Sequence, residues 1–152
     1  MITLNSSVII YRPIKQVFDF VSSSDNDFQW QYGTLETARV SGGSIGVGAF
    51  FRSIGHLMGR RLQGTFEITQ YQANKEYGFK SLSGPLELQT LYVFETDRGS
   101  TKIQVSTRAR VVDFTQVQEW VLEKQLRKQL RENLALLKGI LEGQATSPAK
   151  PA

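Results

Sequence analysis

The sequence predicts an α+β fold: a curved antiparallel sheet of about seven strands wrapped around one long C-terminal helix, with two short helices after the first strand. The helix is announced by Leu122, Leu126, Leu130, Leu134, Leu137 and Leu141, whose spacings of three and four residues line one helical face over 115–142. The sheet is announced by strand-like runs that follow one another across short turns. Those turns are too short for the crossovers that parallel strands need, which excludes a parallel α/β arrangement.

Residues 3–11 place Leu4, Val8 and Ile10 on one side and read as the first strand. Arg12-Pro13 ends it, and Val17, Phe18, Phe20 and Val21 then supply a short amphipathic helix opened by the proline. A loop over 22–27 leads to a brief second helix through Phe28 and Trp30. Strands follow at 34–40, 49–55, 61–71, 77–81, 86–95 and 101–111, punctuated by Gly42-Gly43, Gly59, Asn74, Gly84-Pro85 and Arg98-Gly99. In the last strand Ile103, Val105, Thr107, Ala109 and Val111 alternate with polar residues, the pattern of a sheet with one face buried. Thr115 and Gln118 fit a capping box for the long helix, and Gly143 is its expected stop. The small, proline-bearing segment 143–152 is expected to be a disordered tail.

A chain of 152 residues with 40% hydrophobic and 21% charged residues has the composition of a soluble globular protein. No run reaches the roughly 20 apolar residues of a membrane span, and the N-terminus lacks the pattern of a signal peptide, so a cytoplasmic location is expected. There is no cysteine and one histidine, which excludes a disulfide framework, a thiol nucleophile and the usual zinc sites. Neither a metal nor a cofactor is expected. The net charge of +4 includes Lys124, Arg127, Lys128 and Arg131 on the helix. Aromatic residues are not interleaved with them, so no nucleic acid is expected, and a solvated face with i,i+4 ion pairs is the simpler reading.

The first strand into Arg12-Pro13-Ile14-Lys15-Gln16-Val17-Phe18, the later Phe28-Gln29-Trp30, and the segments Gly46-Val47-Gly48, Ser83-Gly84-Pro85 and Leu136-Leu137-Lys138 occur in an informative order. Together they resemble the helix-grip superfamily (SRPBCC, or START-like), which includes polyketide cyclases, START lipid-transfer domains and Bet v 1-type proteins. The bacterial cyclase/dehydrase branch is the nearest in pattern. The resemblance implies one START-like ligand-binding domain over 1–142, with a cavity between the concave sheet and the long helix for an apolar or aromatic molecule. It carries over no reaction, because fold alone does not fix function.

His56 lies near a hairpin and reads as a solvated turn histidine without an orienting partner. The glycines from Gly42 to Gly48 lack the ending of a phosphate loop and open a strand. The aromatic set is more informative. Trp30, Phe51, Phe66, Phe79, Tyr92 and Phe94 are candidate pocket residues, with Thr90 and Thr107 as further polar points, set against the alternative that they fill a solid core. Turning the leucine stripe backwards at about 100° per residue brings Glu119 and Glu123 inward: either a bend near Lys124 rotates the first turns back, or the helix is straight and these acids are polar groups at the cavity mouth. The same rotation turns Val117, Trp120 and Val121 outward as an apolar patch suited to a homodimer.

Three function classes follow. The first is binding or carriage of an apolar small molecule. The second is a polyketide cyclase or dehydratase, which needs an inward acid–base pair that the sequence does not display. The third, implied by the resemblance, is an interaction module like the ribosome-associating toxins or quinone-binding chaperones.

Overall fold

A computed structural model describes residues 1–31, 34–40, 42–43, 45–112 and 118–146, without the side chains of 144–146. The expected cap Thr115, the patch residue Val117 and the tail beyond 146 lie outside the described residues.

The strands are β1 (Ile2–Ile10), β2 (Thr34–Arg39), β3 (Phe50–Leu57), β4 (Arg60–Gln72), β5 (Glu76–Ser81), β6 (Leu86–Asp97) and β7 (Ser100–Val111). The helices are α1 (Ile14–Val21), α2 (Asp27–Trp30) and α3 (Glu119–Thr146), and a short 3-10 turn, Ser24–Asn26, precedes α2. All strand pairs are antiparallel in the order β1-β7-β6-β5-β4-β3-β2. From β2 to β7 this is a simple meander. The first strand pairs with the last, so α1, the 3-10 turn and α2 carry the chain from one sheet edge to the other.

Local chemistry explains the turns. Met58-Gly59 and Arg98-Gly99 have positive φ at both residues, the backbone twist that suits two-residue hairpins. The β5–β6 connection docks on β4 at Gly64, where a Cβ would lie 2.8 Å from the Ser83 carbonyl oxygen. Only glycine admits that approach.

The α3 helix runs alongside β1 and is fixed to it at both ends. The N-terminal ammonium of Met1 pairs with Glu119 at 3.2 Å. At the other end Lys138 donates to the Ile9 carbonyl at 2.6 Å, Tyr11 N–H donates to Glu142 at 3.0 Å, and the Arg12 guanidinium donates to the Glu142 carbonyl. The expected stop at Gly143 is corrected: the helix continues through Thr146. Glycine lowers helix propensity by only about 1 kcal/mol, which the docked helix tolerates.

Leu122, Leu134, Leu137 and Leu141 are fully buried. Leu126 and Leu130, expected to be buried with them, are only half-buried. The reason is that the core is divided. One cluster gathers Ile10, Phe18, Trp30, Phe94, Ile103, Leu137 and Leu141 among others; a second holds Ile2, Leu4, Leu57, Ala109 and Leu122. Leu130 touches both, and the space beneath it is open.

Candidate functional site

Between the two clusters lies a cavity of about 250 Å³, partly open to solvent. Sheet register builds its floor. Phe79, Thr90, Thr107 and Leu4 are successive cross-strand partners on β5, β6, β7 and β1, so one inward row crosses four strands and every member reaches the cavity wall. Phe51 and Phe66 are direct partners on β3 and β4, stacked at 5.4 Å, and Phe79 meets each edge-on at 5.7 Å. The roof is the middle of α3, which contributes Leu126, Gln129, Leu130 and Asn133. Leu122 on one side and Leu134, Leu137 and Leu141 on the other are buried in the two clusters, and the middle of α3 between them spans the void.

Thr90 and Thr107 join hydroxyls at 3.1 Å, satisfying two buried polar groups on an otherwise apolar surface. A second polar set closes the α2 end. Asn133 donates to Gln31 Oε1 at 3.0 Å, and Gln31 Nε2 donates to the Tyr92 hydroxyl at 3.1 Å. Tyr92 is 4% exposed, stacks on Tyr77 at 6.1 Å and receives the Trp30 ring edge-on at 6.0 Å. Burial pushes its hydroxyl pKa well above the usual tyrosine range, against the lowering effect of the Gln31 bond. Tyr77 is shifted upwards in the same way, first by burial and then by the nearby Asp27 charge.

Asp27, half-buried at the start of α2, lies on the cavity wall. Burial raises its carboxyl well above the ordinary carboxylate range, and the negative charge of Asp25 adds to the shift. No lysine or arginine lines the cavity among the described residues.

Of the sequence-derived candidates, Phe51, Phe66, Phe79, Thr90, Tyr92 and Thr107 are brought together around the cavity. Trp30 and Phe94 stand behind the wall in the core, Trp30 against Tyr92 and Phe94 edge-on to Phe18 at 5.1 Å. Glu119 and Glu123 are not on the wall: Glu119 pairs with the N-terminus, and Glu123 pairs with Arg127 one helical turn away at 3.2 Å. Both acids lie on the first turns of α3, beyond the stretch that roofs the cavity. His56 is part of β3, opposite Arg61, which corrects its placement in a turn; it is exposed, as a solvated histidine should be, at the border of the cavity. Trp120 is 66% exposed, as the outward rotation required, whereas Val121 is half-buried.

Asp27, Gln31 and Asn133 were missed by sequence reasoning. A polar residue one turn from Leu130 and Leu137 on the inward side, Asn133, was the available signal. Asp27 opens a four-residue helix and Gln31 follows its end, and no periodicity reveals how so short a helix is oriented.

Among the described residues no group of three or more acidic or histidine side chains is placed to hold a metal ion. No described helix is long and apolar enough to cross a membrane.

No family profile matches the sequence, and no curated protein is significantly similar to it. Solved structures are similar in fold. A START superfamily protein from Mycobacterium smegmatis superposes with a TM-score of 0.79 at 15% identity, over 95% of this chain and 99% of that one. The Zhui aromatase/cyclase from Streptomyces sp. R1128 gives 0.78 at 12% identity, over 94% of each chain. Ara h 8.0201 gives 0.71 at 13% identity, over 93% of this chain and 97% of the other. These superpositions span nearly the whole of each chain, and the chain has the helix-grip fold of the START-like, Bet v 1-like and aromatase/cyclase proteins.

Proposed function

We propose that this protein binds and carries an apolar, aromatic-containing small molecule in the cavity beneath α3. The observation that carries the reading is the cavity itself: about 250 Å³ left open between two packed clusters, floored by Phe51, Phe66 and Phe79. A well-packed domain closes such a space unless something occupies it, since unfilled core volume costs stability. The fold's use in polyketide aromatase/cyclases and START proteins supports the same reading.

The test is a titration with an uncharged fluorescent naphthylamine dye, beside mass spectrometry of small molecules that copurify with the protein. One saturable site per chain is expected, and saturating ligand at about one hundred times Kd stabilises the fold by about 2.7 kcal/mol. Leu130→Trp places an indole into the void and abolishes dye binding while leaving the fold intact. Undiminished binding by Leu130→Trp moves the site elsewhere, and no saturable binding by the wild type defeats the reading.

One observation favours a second reading. Asp27 supplies an inward carboxyl with raised proton affinity, the kind of group a cyclase or dehydratase uses as an acid. Turnover of a polyketide-like substrate, lost in Asp27→Asn with binding retained, is the result this reading requires.

A homodimer through Trp120 and Val121 is supported by the exposed indole alone. Sedimentation of wild type beside Trp120→Ala tests it, and a concentration-independent monomer for both removes the interface.

A further inference from the structure

The α2 end of the cavity holds two polar groups whose hydrogen-bonding capacity is unspent. Gln31 uses both ends of its amide on this line: its Oε1 takes the Asn133 N–H, and one Nε2 hydrogen goes to the Tyr92 oxygen. Because Tyr92 accepts that bond, its own O–H hydrogen remains to be given to something else. Among the described residues no acceptor takes it, and the hydroxyl is buried away from bulk water. Asp27 also lines the cavity, and its carboxyl has no hydrogen-bond or ion-pair partner among the described residues. It stands close enough to Tyr77 and Tyr92 for its charge to act on both hydroxyls. Buried polar groups in this state cost stability unless a ligand or water completes them.

We propose that this end of the cavity recognises a neutral acceptor oxygen, a ketone-type carbonyl on an aromatic framework, through the Tyr92 hydroxyl and the Asp27 carboxyl acting as paired donors. The inference rests on the ligand-binding reading above and names the class of ligand. The aromatic framework lies on Phe51, Phe66 and Phe79, and the carbonyl end points at α2. Donation by Asp27 requires its protonated form. Burial and Asp25 both favour that form, and no lysine or arginine among the described residues of the wall opposes it.

The groups facing Asp27 are consistent with this assignment. The 3-10 turn presents Asp25, β5 presents Tyr77 and β6 presents Tyr92. On the cavity wall β2 contributes Thr34 and α3 contributes the neutral amides of Gln129 and Asn133. His56 on β3 also borders the void. Affinity for a ketone therefore falls as pH rises through the raised Asp27 pKa. His56→Gln leaves that fall in place, and Asp27→Asn, whose amide donates at every pH, removes it.

The experiment compares three probes of one shape: methyl naphthyl ketone, isopropylnaphthalene and naphthylethylamine, titrated calorimetrically from about pH 5 to about pH 9. The ketone is expected to bind at least about tenfold more tightly than the hydrocarbon at the acidic end. Tyr92→Phe and Asp27→Ala each erase that preference, because the hydrocarbon then gains from its lower desolvation cost. If the hydrocarbon binds as tightly as the ketone to the wild type, the proposal is overturned while the cavity remains a ligand site. If the amine binds tightest, Asp27 is an ionised acceptor and the proposal is again overturned. If none of the three shows a saturable site, the ligand-binding reading falls, and this proposal with it.

Discussion

Asn133 of α3 donates to Oε1 of Gln31 on the chain segment leaving α2 at 3.0 Å, across 102 residues of sequence. This bond ties the roof of the cavity to its polar end, and Gln31 passes the connection on to Tyr92. A double-mutant cycle on Asn133→Ala and Gln31→Ala is expected to show a coupling energy of about 0.5–1.5 kcal/mol, measured by denaturant unfolding. Strict additivity would mean the bond contributes nothing in solution.

The divided core makes two leucines of one stripe unequal. Leu137 is fully buried, and Leu137→Ala is expected to cost about 3–5 kcal/mol. Leu130 already faces a void, so its truncation to alanine removes fewer contacts and costs about 1–2 kcal/mol. Equal losses in urea unfolding would show that the void is filled in solution.

Gly64 is held by backbone rather than by a pliable side chain. A Cβ there would stand 2.8 Å from the Ser83 carbonyl oxygen, so Gly64→Ala pushes the β5–β6 connection off β4. The expected loss is about 1–3 kcal/mol in thermal or denaturant unfolding. An unchanged midpoint would show that the connection moves freely.

Two carboxyls give pH effects of opposite sign. The hydrogen bonds from Lys138 and Tyr11 hold Glu142 below its ordinary value of 4.5. The unfolded chain then binds more protons, so this contribution is present above 4.5 and is lost as pH falls through the lowered pKa. Glu142→Gln is expected to cost about 1 kcal/mol at neutral pH, a value discounted for partial solvent screening, and nothing in strong acid. Asp27 behaves oppositely. Its folded-state pKa is raised above 3.8, the unfolded chain ionises first, and stability falls as pH climbs from 3.8 to the raised value. Asp27→Asn should therefore be more stable than wild type at neutral pH and equal to it below 3.8. Unfolding midpoints across pH check both signs.

Much of the fold was legible because its signals are local. The alternation in β7 fixed which face is buried, and Ile103, Val105 and Ala109 lie inward as that alternation required. Glycine at Met58-Gly59 and Arg98-Gly99 marked hairpin turns through backbone conformation alone. The leucine spacing marked α3, but its end was placed at residue 142 and the helix runs to Thr146, because packing carries a helix past a weak local stop.

The sequence by itself determined the architecture and the aromatic character of the concave face, since side-chain period and turn chemistry act over a few residues. The tertiary structure alone decided which side chains share the cavity. Phe79, Thr90, Thr107 and Leu4 meet through the register of four strands, and Asp27, Gln31 and Asn133 meet through the docking of two helices. It also decided that the middle of α3 stands over a void, because Leu122 is buried in one cluster and Leu134, Leu137 and Leu141 in the other, with the open space between them. Distances of that kind depend on how whole elements pack, a long-range outcome that no window of sequence contains.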